Sequence, residues 1–223
     1  MTLREAREGA KRARREAILR EATALFAEQG FNDADTQVLA ERIGIGKGTL
    51  YRHFPSKRDL FLAATDRAIA GLHDRMETAA SLVVDPLAKI AAAVRAYLAY
   101  FAAHPQYVEL LIQERALFRD RKRPSYFEHR DRNADEWRTL YTELIASGRV
   151  RPIAIDSIRD VMNQVLYGTI FANYFDGCAT GPEVQSRDIL DVVFRGILAD
   201  SERLALPPES SDIALEPARA RAS

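Results

Sequence analysis

The sequence predicts an all-α protein: an N-terminal three-helix domain containing a helix-turn-helix, followed by a larger C-terminal helical domain. Three observations carry this prediction. Apolar residues recur every three to four positions through each long segment, and no stretch alternates apolar with polar as a half-buried strand does. The run Gly44-Ile45-Gly46-Lys47-Gly48 stops one helix and starts another within a few residues. From Pro86 onward the periodic segments are larger and more apolar, as a domain with its own core requires. A chain of 223 residues has room for one or two such domains.

Residues 1–12 read as a flexible basic arm: the first twenty positions hold seven Arg or Lys (Arg4, Arg7, Lys11, Arg12, Arg14, Arg15, Arg20) against three Glu. The arm reads either as a solvated tail or as a segment that orders on phosphates. The first helix is expected over 13–29, because Ile18, Ala22, Leu25 and Phe26 share one face and Gly30 supplies a stop. The turn Asn32-Asp33-Ala34-Asp35 opens a second helix over 36–43, with Asp35 as cap. Gly44 then sits where a positive φ ends that helix. A third helix has room for about two turns, since Pro55 disfavours helical geometry at Phe54. Ser56 caps a fourth helix over 57–78, with Leu60, Ala64, Ala68 and Leu72 on one face. The helix-turn-helix domain is thus placed at 13–60 and the second domain at 61–206.

In that second domain, Leu87, Ile90, Val94, Leu98 and Phe101 mark a helix ending at His104-Pro105, and residues 107–117 form the next. The charged stretch 119–124 reads as a loop. A single helix is expected over 126–146, carrying Trp137, Leu140, Tyr141, Leu144 and Ile145 and closed by Gly148. The segment 155–175 is apolar on more than one face, so it is buried on two sides. There Gly168 and Ala172, four apart, allow close approach of another helix. The last helix is expected over 183–204. Residues 207–223, rich in Ala, Arg, Glu and Ser, read as a disordered tail.

The third helix carries the functional prediction. So short a helix is not stable alone, so Leu50 and Phe54 must pin it from one side. The other side is polar, cationic and aromatic, which is what a helix-turn-helix presents to a DNA major groove. Net charge is zero, so nucleic-acid binding must come from a local patch. Lys47 suits the acceptor atoms of guanine, and the Thr49 methyl suits that of thymine. Arg52 serves either base or phosphate, as does Gln37 on the preceding helix.

These residues resemble the DNA-binding domain of the TetR (tetracycline-repressor) family. The match runs from Ile18 to Phe61 and includes Leu25-Phe26, Gly30-Phe31, Leu39-Ala40, Gly44, Gly48-Thr49-Leu50-Tyr51, His53-Phe54 and Ser56-Lys57. The resemblance implies double-stranded operator DNA as partner, with Tyr51, His53 and Lys57 on the phosphate side. The expected DNA-facing set is Gln37, Lys47, Gly48, Thr49, Tyr51, Arg52, His53 and Lys57. Two departures stand out: Ala34-Asp35 and Gly46 replace the hydroxyl residues common in the family. The resemblance also implies that the C-terminal domain binds a small-molecule effector in a cavity and pairs its last two helices with those of a second copy as a four-helix bundle. Candidate ligand contacts are Tyr97, Phe101, Tyr107, Trp137, Tyr141, Asn163, Tyr167 and Phe171, each weighed against plain core packing.

Enzyme chemistry finds no footing. His53, His73, His104 and His129 are scattered without metal-ligand spacing, so no metal or cofactor is expected. Cys178, the one cysteine, excludes an intramolecular disulfide and fits a reducing cytoplasm. Gly44–Gly48 lacks the preceding strand and the Lys-Ser/Thr ending of a phosphate loop. No run of about 18 apolar residues suggests a membrane span. The expected protein is a cytoplasmic, ligand-responsive homodimeric repressor. An effector-independent DNA-binding protein of the same fold, architectural or division-linked, is the alternative.

Overall fold

A computed structural model describes residues 3–132, 134–177, 180–197 and 200–205. Every element among them is a helix. The N-terminal helix, α1 (Leu3–Asp33), begins ten residues before the expected start, so most of the basic arm is helical. Ala, Arg, Glu and Lys are strong helix formers, and Arg4 reaches Glu8 one turn on at 3.4 Å. Gly30 breaks the helix with φ +76° and ψ 168°, turning Phe31 inward against Phe26, Phe61 and Phe118.

Next come α2 (Thr36–Arg42) and α3 (Lys47–His53). Asp35 caps α2, its carboxylate accepting from the Gln37 N–H at 2.7 Å. Gly44, at φ +65°, closes α2 in a Schellman turn: its N–H donates to Glu41 C=O, and the Ile45 N–H donates to Ala40 C=O. Gly46 opens α3 with no side-chain cap. A long helix, α4 (Lys57–Ser81), follows, capped by Ser56, whose hydroxyl accepts from Asp59 N–H.

The remaining helices are α5 (Pro86–Ala103), α6 (Gln106–Leu117), α7 (Ser125–Arg132), α8 (Ala134–Ala146), α9 (Ile155–Asp176), α10 (Pro182–Ile197) and α11 (Asp200–Ala205). The helix expected over 126–146 corresponds to α7 and α8, which lie on either side of residue 133, outside the described residues. The charged run Glu128–Arg132 finds partners in α4 and in the preceding loop. The helix expected over 183–204 corresponds to α10 and α11, on either side of residues 198–199, which also lie outside the described residues. The tail at 207–223 and Cys178 lie outside the described residues. No described helix is long and apolar enough to cross a membrane.

Two hydrophobic cores meet along α4. The first gathers Ile18, Leu25, Phe26, Leu39, Leu50, Phe54, Leu60, Phe61 and Ala68, together with Leu110 and Phe118 from the region of α6. The second starts at Ile69 and Leu72 and fills the space among α5 to α10. The changeover falls between Ala68 and Ile69, inside one continuous helix. Helix α6 also serves both: Leu110 enters the first core, while Val108 and Leu111 enter the second. The charged loop after α6 is tied in rather than solvated. Arg121 donates to the buried Glu114 at 2.5 Å and to Glu128 at 2.9 Å, and Glu114 also accepts from the Ser125 N–H. Burial pushes the Glu114 carboxyl up from its ordinary range.

On the outside, α9 and α10 leave Val161, Phe175 and Val192 exposed. Gly168 also faces outward on α9, and a Cβ added there would meet no atom.

Candidate DNA interface and internal cavity

Helix α3 is held by two side chains. Leu50 is fully buried and Phe54 nearly so, while Lys47, Gly48 and Arg52 are exposed. Thr49, Tyr51 and His53 are half-buried along its margins. Tyr51 is oriented by its hydroxyl, 3.0 Å from the Thr36 hydroxyl of α2. Arg52 donates to the Thr49 hydroxyl at 2.8 Å, which aligns the guanidinium along the helix. Gln37 is exposed on α2 and donates to Glu41 at 2.8 Å. Lys57, in the first turn of α4, donates to the Asn32 carbonyl at 3.0 Å and lies over the Phe31 ring. All eight sequence-predicted residues thus fall on α2, α3 or the start of α4.

The structure adds a second source of positive charge. The guanidinium of Arg15 lies 5.2 Å from the centre of the Phe54 ring. Burial, then the fields of Lys11, Arg14, Arg52 and Arg15, hold His53 below its ordinary pKa. The middle of α1 therefore brings Lys11, Arg14 and Arg15 beside α3. Sequence reading saw their charge but not their position: Lys11 falls in the expected arm, and the packing that sets Arg14 and Arg15 of the expected first helix against α3 is long-range.

The second site is a cavity of about 90 Å³ lined by α4, α5, α7, α8 and α9. Leu72, His73 and Met76 supply its α4 wall, and Ile90, Ala93, Val94 and Tyr97 its α5 wall. Tyr126 and Arg130 come from α7, Trp137 and Tyr141 from α8, and Arg159, Met162, Asn163 and Leu166 from α9. The Tyr97 and Tyr126 hydroxyls pair at 2.9 Å. Burial raises the Tyr97 hydroxyl well above its ordinary pKa and pushes Tyr126 and Tyr141 up to about 12. All three are neutral hydrogen-bonding groups in an apolar wall.

Of the eight expected ligand contacts, Tyr97, Trp137, Tyr141 and Asn163 line the cavity. The other four do not line it and pack against neighbouring rings. Phe101 lies against Tyr97 and Tyr100, and Tyr107 stacks on His104 at 4.7 Å. Tyr167 fills the angle between Tyr126, Phe127 and Phe171. Sequence reading did not single out His73, Arg130 or Arg159 as lining residues, since each reads as an ordinary polar position.

His73 stacks on His129 with ring centres 5.6 Å apart, and His129 Nε2 lies 2.7 Å from Asp66. Burial and the neighbouring His129 lower the His73 pKa to about 4. The unfolded chain takes up a proton here near pH 6.5, whereas the folded chain resists until about 4. Stability is therefore lost as pH falls through that window. Melting curves between pH 7 and 5 are expected to shift down by a few degrees, and by less in His73→Gln. An equal acid shift in His73→Gln would assign the effect to other groups.

The fold and the exposed α3 define a class: a helix-turn-helix protein with a separate helical domain behind it. Comparison with known proteins places it more closely. The description "Bacterial regulatory proteins, tetR family" matches residues 18–64, and "Tetracyclin repressor-like, C-terminal domain" matches residues 83–167. Together the two matches span more than half of the chain. The chain belongs to the TetR family of DNA-binding transcriptional regulators.

The transcriptional activator FasR of Mycolicibacterium smegmatis is 30% identical over 45% of this chain, a match that spans 46% of FasR, about half its length. The repressor KstR2 of the same organism is 24% identical over 83% of this chain and 91% of its own. Two solved structures share the fold. The ketosteroid transcriptional regulator KstR2 of Mycobacterium tuberculosis has a TM-score of 0.61 at 23% identity, covering 84% of this chain and 96% of that one. The fatty acid degradation regulator FadR of Bacillus halodurans has a TM-score of 0.65 at 16% identity, covering 81% and 98%.

Proposed function

We propose that this chain is a repressor, rather than an enzyme, released from operator DNA by a small apolar molecule bound in the cavity among α4, α5, α7, α8 and α9. One observation carries this reading: α4 is a wall of both sites. Its first half closes the DNA-binding core with Leu60, Phe61 and Ala64, and its second half lines the cavity with Leu72, His73 and Met76. A molecule that displaces the second half acts on the first through one continuous helix. That the solved neighbours include regulators named for ketosteroids and for fatty acid degradation fits the cavity's apolar wall.

The cavity of about 90 Å³ falls short of the ~300–1,000 Å³ of typical ligand sites. An effector must therefore open it, and the opened form is the one with low operator affinity. The ligand shifts the equilibrium only by its differential affinity for the two forms. The outward apolar residues of α9 and α10, with Gly168 between them, are the surface through which two copies pair. The two α3 helices then read major grooves separated by about 34–36 Å or a multiple of one DNA turn.

In this arrangement Gln37, Lys47, Thr49 and Arg52 face bases and phosphates, and Tyr51, His53 and Lys57 face the backbone. Lys11, Arg14 and Arg15 extend the phosphate surface. Gly48 lets the start of α3 come close to the duplex, for nothing in the protein occupies the space its Cβ would take. Gly48→Ala is therefore expected to stabilise the free protein slightly, by about 0.5 kcal/mol, while weakening operator binding at least about tenfold. Unchanged DNA affinity in Gly48→Ala would remove the close approach.

A salt-dependent gel shift on the DNA upstream of the chain's own gene tests the whole reading. Specific binding, released by compounds that also raise the melting temperature, supports it. Specific binding with no released complex and no stabilising compound would leave a regulator without an effector.

A further inference from the structure

The effector reading leaves open the chemical class of the ligand, and the charges around the cavity narrow it. Among the described residues that line it there is no carboxylate, but there are two guanidiniums, Arg130 on α7 and Arg159 on α9. Arg159 is the more telling. Its side chain is only 16% exposed, and among the described residues its one ion pair is a 3.4 Å contact with Asp156. Asp156 is itself 65% exposed and holds Arg138 more closely, at 2.5 Å. A guanidinium withdrawn from water in this way loses hydration that a distant, shared and solvated carboxylate does not replace. Arg130 is in a similar position. Both its Nε and Nη2 donate to one oxygen of Asp131, at 3.1 and 3.0 Å, and Asp131 is shared with Arg123. Each carboxylate within reach is thus divided between two arginines.

The rest of the surroundings fits one kind of guest. His73 is held neutral, so it offers neither a further cation nor a counter-charge. Asn163 follows Arg159 by one turn of α9 and lines the same cavity, giving an amide next to the guanidinium. Most of the remaining wall is hydrocarbon or aromatic ring. A planar guanidinium fork matches the two oxygens of a carboxylate, and such charge-assisted pairs are about twice as strong as neutral hydrogen bonds.

We propose that the effector is an amphipathic anion: an apolar body in the hydrocarbon part of the cavity, with a single carboxylate held by Arg159 and assisted by Arg130 and Asn163. The proposal rests on the effector reading above and adds the charge. On entry the carboxylate replaces the shared Asp156 as the principal partner of Arg159, so binding is strongest when the acid is ionised.

Trp137 makes the test direct, because it is the chain's one tryptophan and it lines the cavity. The full-length protein is titrated with dodecanoate and dodecan-1-ol, and with a four-ring steroid carboxylate and the alcohol of the same skeleton. Binding is followed by Trp137 fluorescence, and release of operator DNA is followed in parallel. At least one acid is expected to bind about tenfold or more tightly than its own alcohol. In Arg159→Met that preference collapses while the alcohol's affinity stays unchanged, and Arg159→Lys restores part of it. Arg130→Met lowers the preference by a smaller factor. Alcohols that equal their acids, a preference that survives both methionine variants, or acids that do not bind at all would each overturn the proposal. Because the acid-to-alcohol ratio is read in the wild-type protein, it stands even if a variant folds poorly. The two readings also fail differently. Neutral compounds that bind and release DNA retain the effector and reject the anion, whereas acids that bind without releasing DNA retain the anion site and reject the effector.

Discussion

Leu50→Ala is expected to abolish sequence-specific DNA binding while leaving the C-terminal core folded. Helix α3 has seven residues, well under the roughly 12–15 at which an isolated helix becomes even marginally stable in water. Its start has no side-chain cap, because Gly46 stands at that position. Its order therefore rests on Leu50, which is its one buried residue, and on Phe54 just beyond its end. Truncating a buried leucine to alanine costs about 2–5 kcal/mol. Here the loss falls on an element with little other support, so it appears as disorder of α3 rather than as a uniform drop in stability. Contacts to bases need that helix in register, and contacts to phosphate need it less. Leu50→Ala should thus keep weak, salt-sensitive binding to any duplex and lose its preference for the operator. Leu50→Met, which nearly conserves volume, should restore most of it. Competition titrations with operator and scrambled duplexes measure the preference, and far-ultraviolet circular dichroism reports the rest of the fold. An operator preference retained by Leu50→Ala would mean that α3 is held by something other than this contact.

What the sequence made legible follows the same physics. Positions that terminate helices are read easily, because glycine and proline act locally. Gly44, Gly148 and Gly177 all adopt positive φ where helices end or a turn follows, and Pro55 closes α3 as its chemistry dictates. The start of α1 was not legible, because a basic segment reads as a solvated arm by charge and as a helix by propensity. Here propensity prevails, supported by the Arg4–Glu8 pair one turn apart. The outward contacts of α7 were not legible, because Trp137, Leu140, Tyr141 and Leu144 suggest an apolar stripe running back toward Tyr126. The contacts of His129 with Asp66 and of Glu128 with Arg121 are long-range, and periodicity does not encode them.

The cavity was half legible for a related reason. Aromatic residues at helical spacing identify buried faces, but a buried face borders either another side chain or a void. Tyr97 and Tyr141 border the void, whereas Phe101, Tyr167 and Phe171 fill their space against neighbouring rings. The polar residues lining the cavity were illegible for the opposite reason. Arg130 and Arg159 sit among charged neighbours in sequence, where a solvated face is the ordinary expectation. Only the packing of α7 and α9 around the cavity makes them part of its lining.

The second large effect is expected at Phe118, just beyond the end of α6. Its ring meets Phe31 at 5.1 Å and Phe61 at 5.5 Å, and Arg58 lies over it at 5.1 Å. These contacts tie the end of α6 into the DNA-binding core, while Val108 and Leu111 of the same helix belong to the other core. The Phe31 N–H also donates to Gln113 of α6 at 2.7 Å. The α6 connection is therefore a second link between the two domains, parallel to α4. Phe118→Ala should lower stability by about 3 kcal/mol or more through lost burial and lost ring contacts. Phe101→Ala, deep in the other core, should cost a similar amount. The two variants should differ in function. Phe101→Ala leaves the DNA-binding core intact and changes operator affinity little once the fraction folded is accounted for. Phe118→Ala frees that core from α6, so the ratio of operator affinities without and with a releasing ligand moves toward one. Coupling of this kind is typically about 5–150-fold, so a reduction by several-fold is measurable in parallel DNA titrations. If Phe118→Ala loses stability yet keeps the full ratio, α4 alone carries the signal, and the contacts of α6 with the first core serve only to hold the domains together.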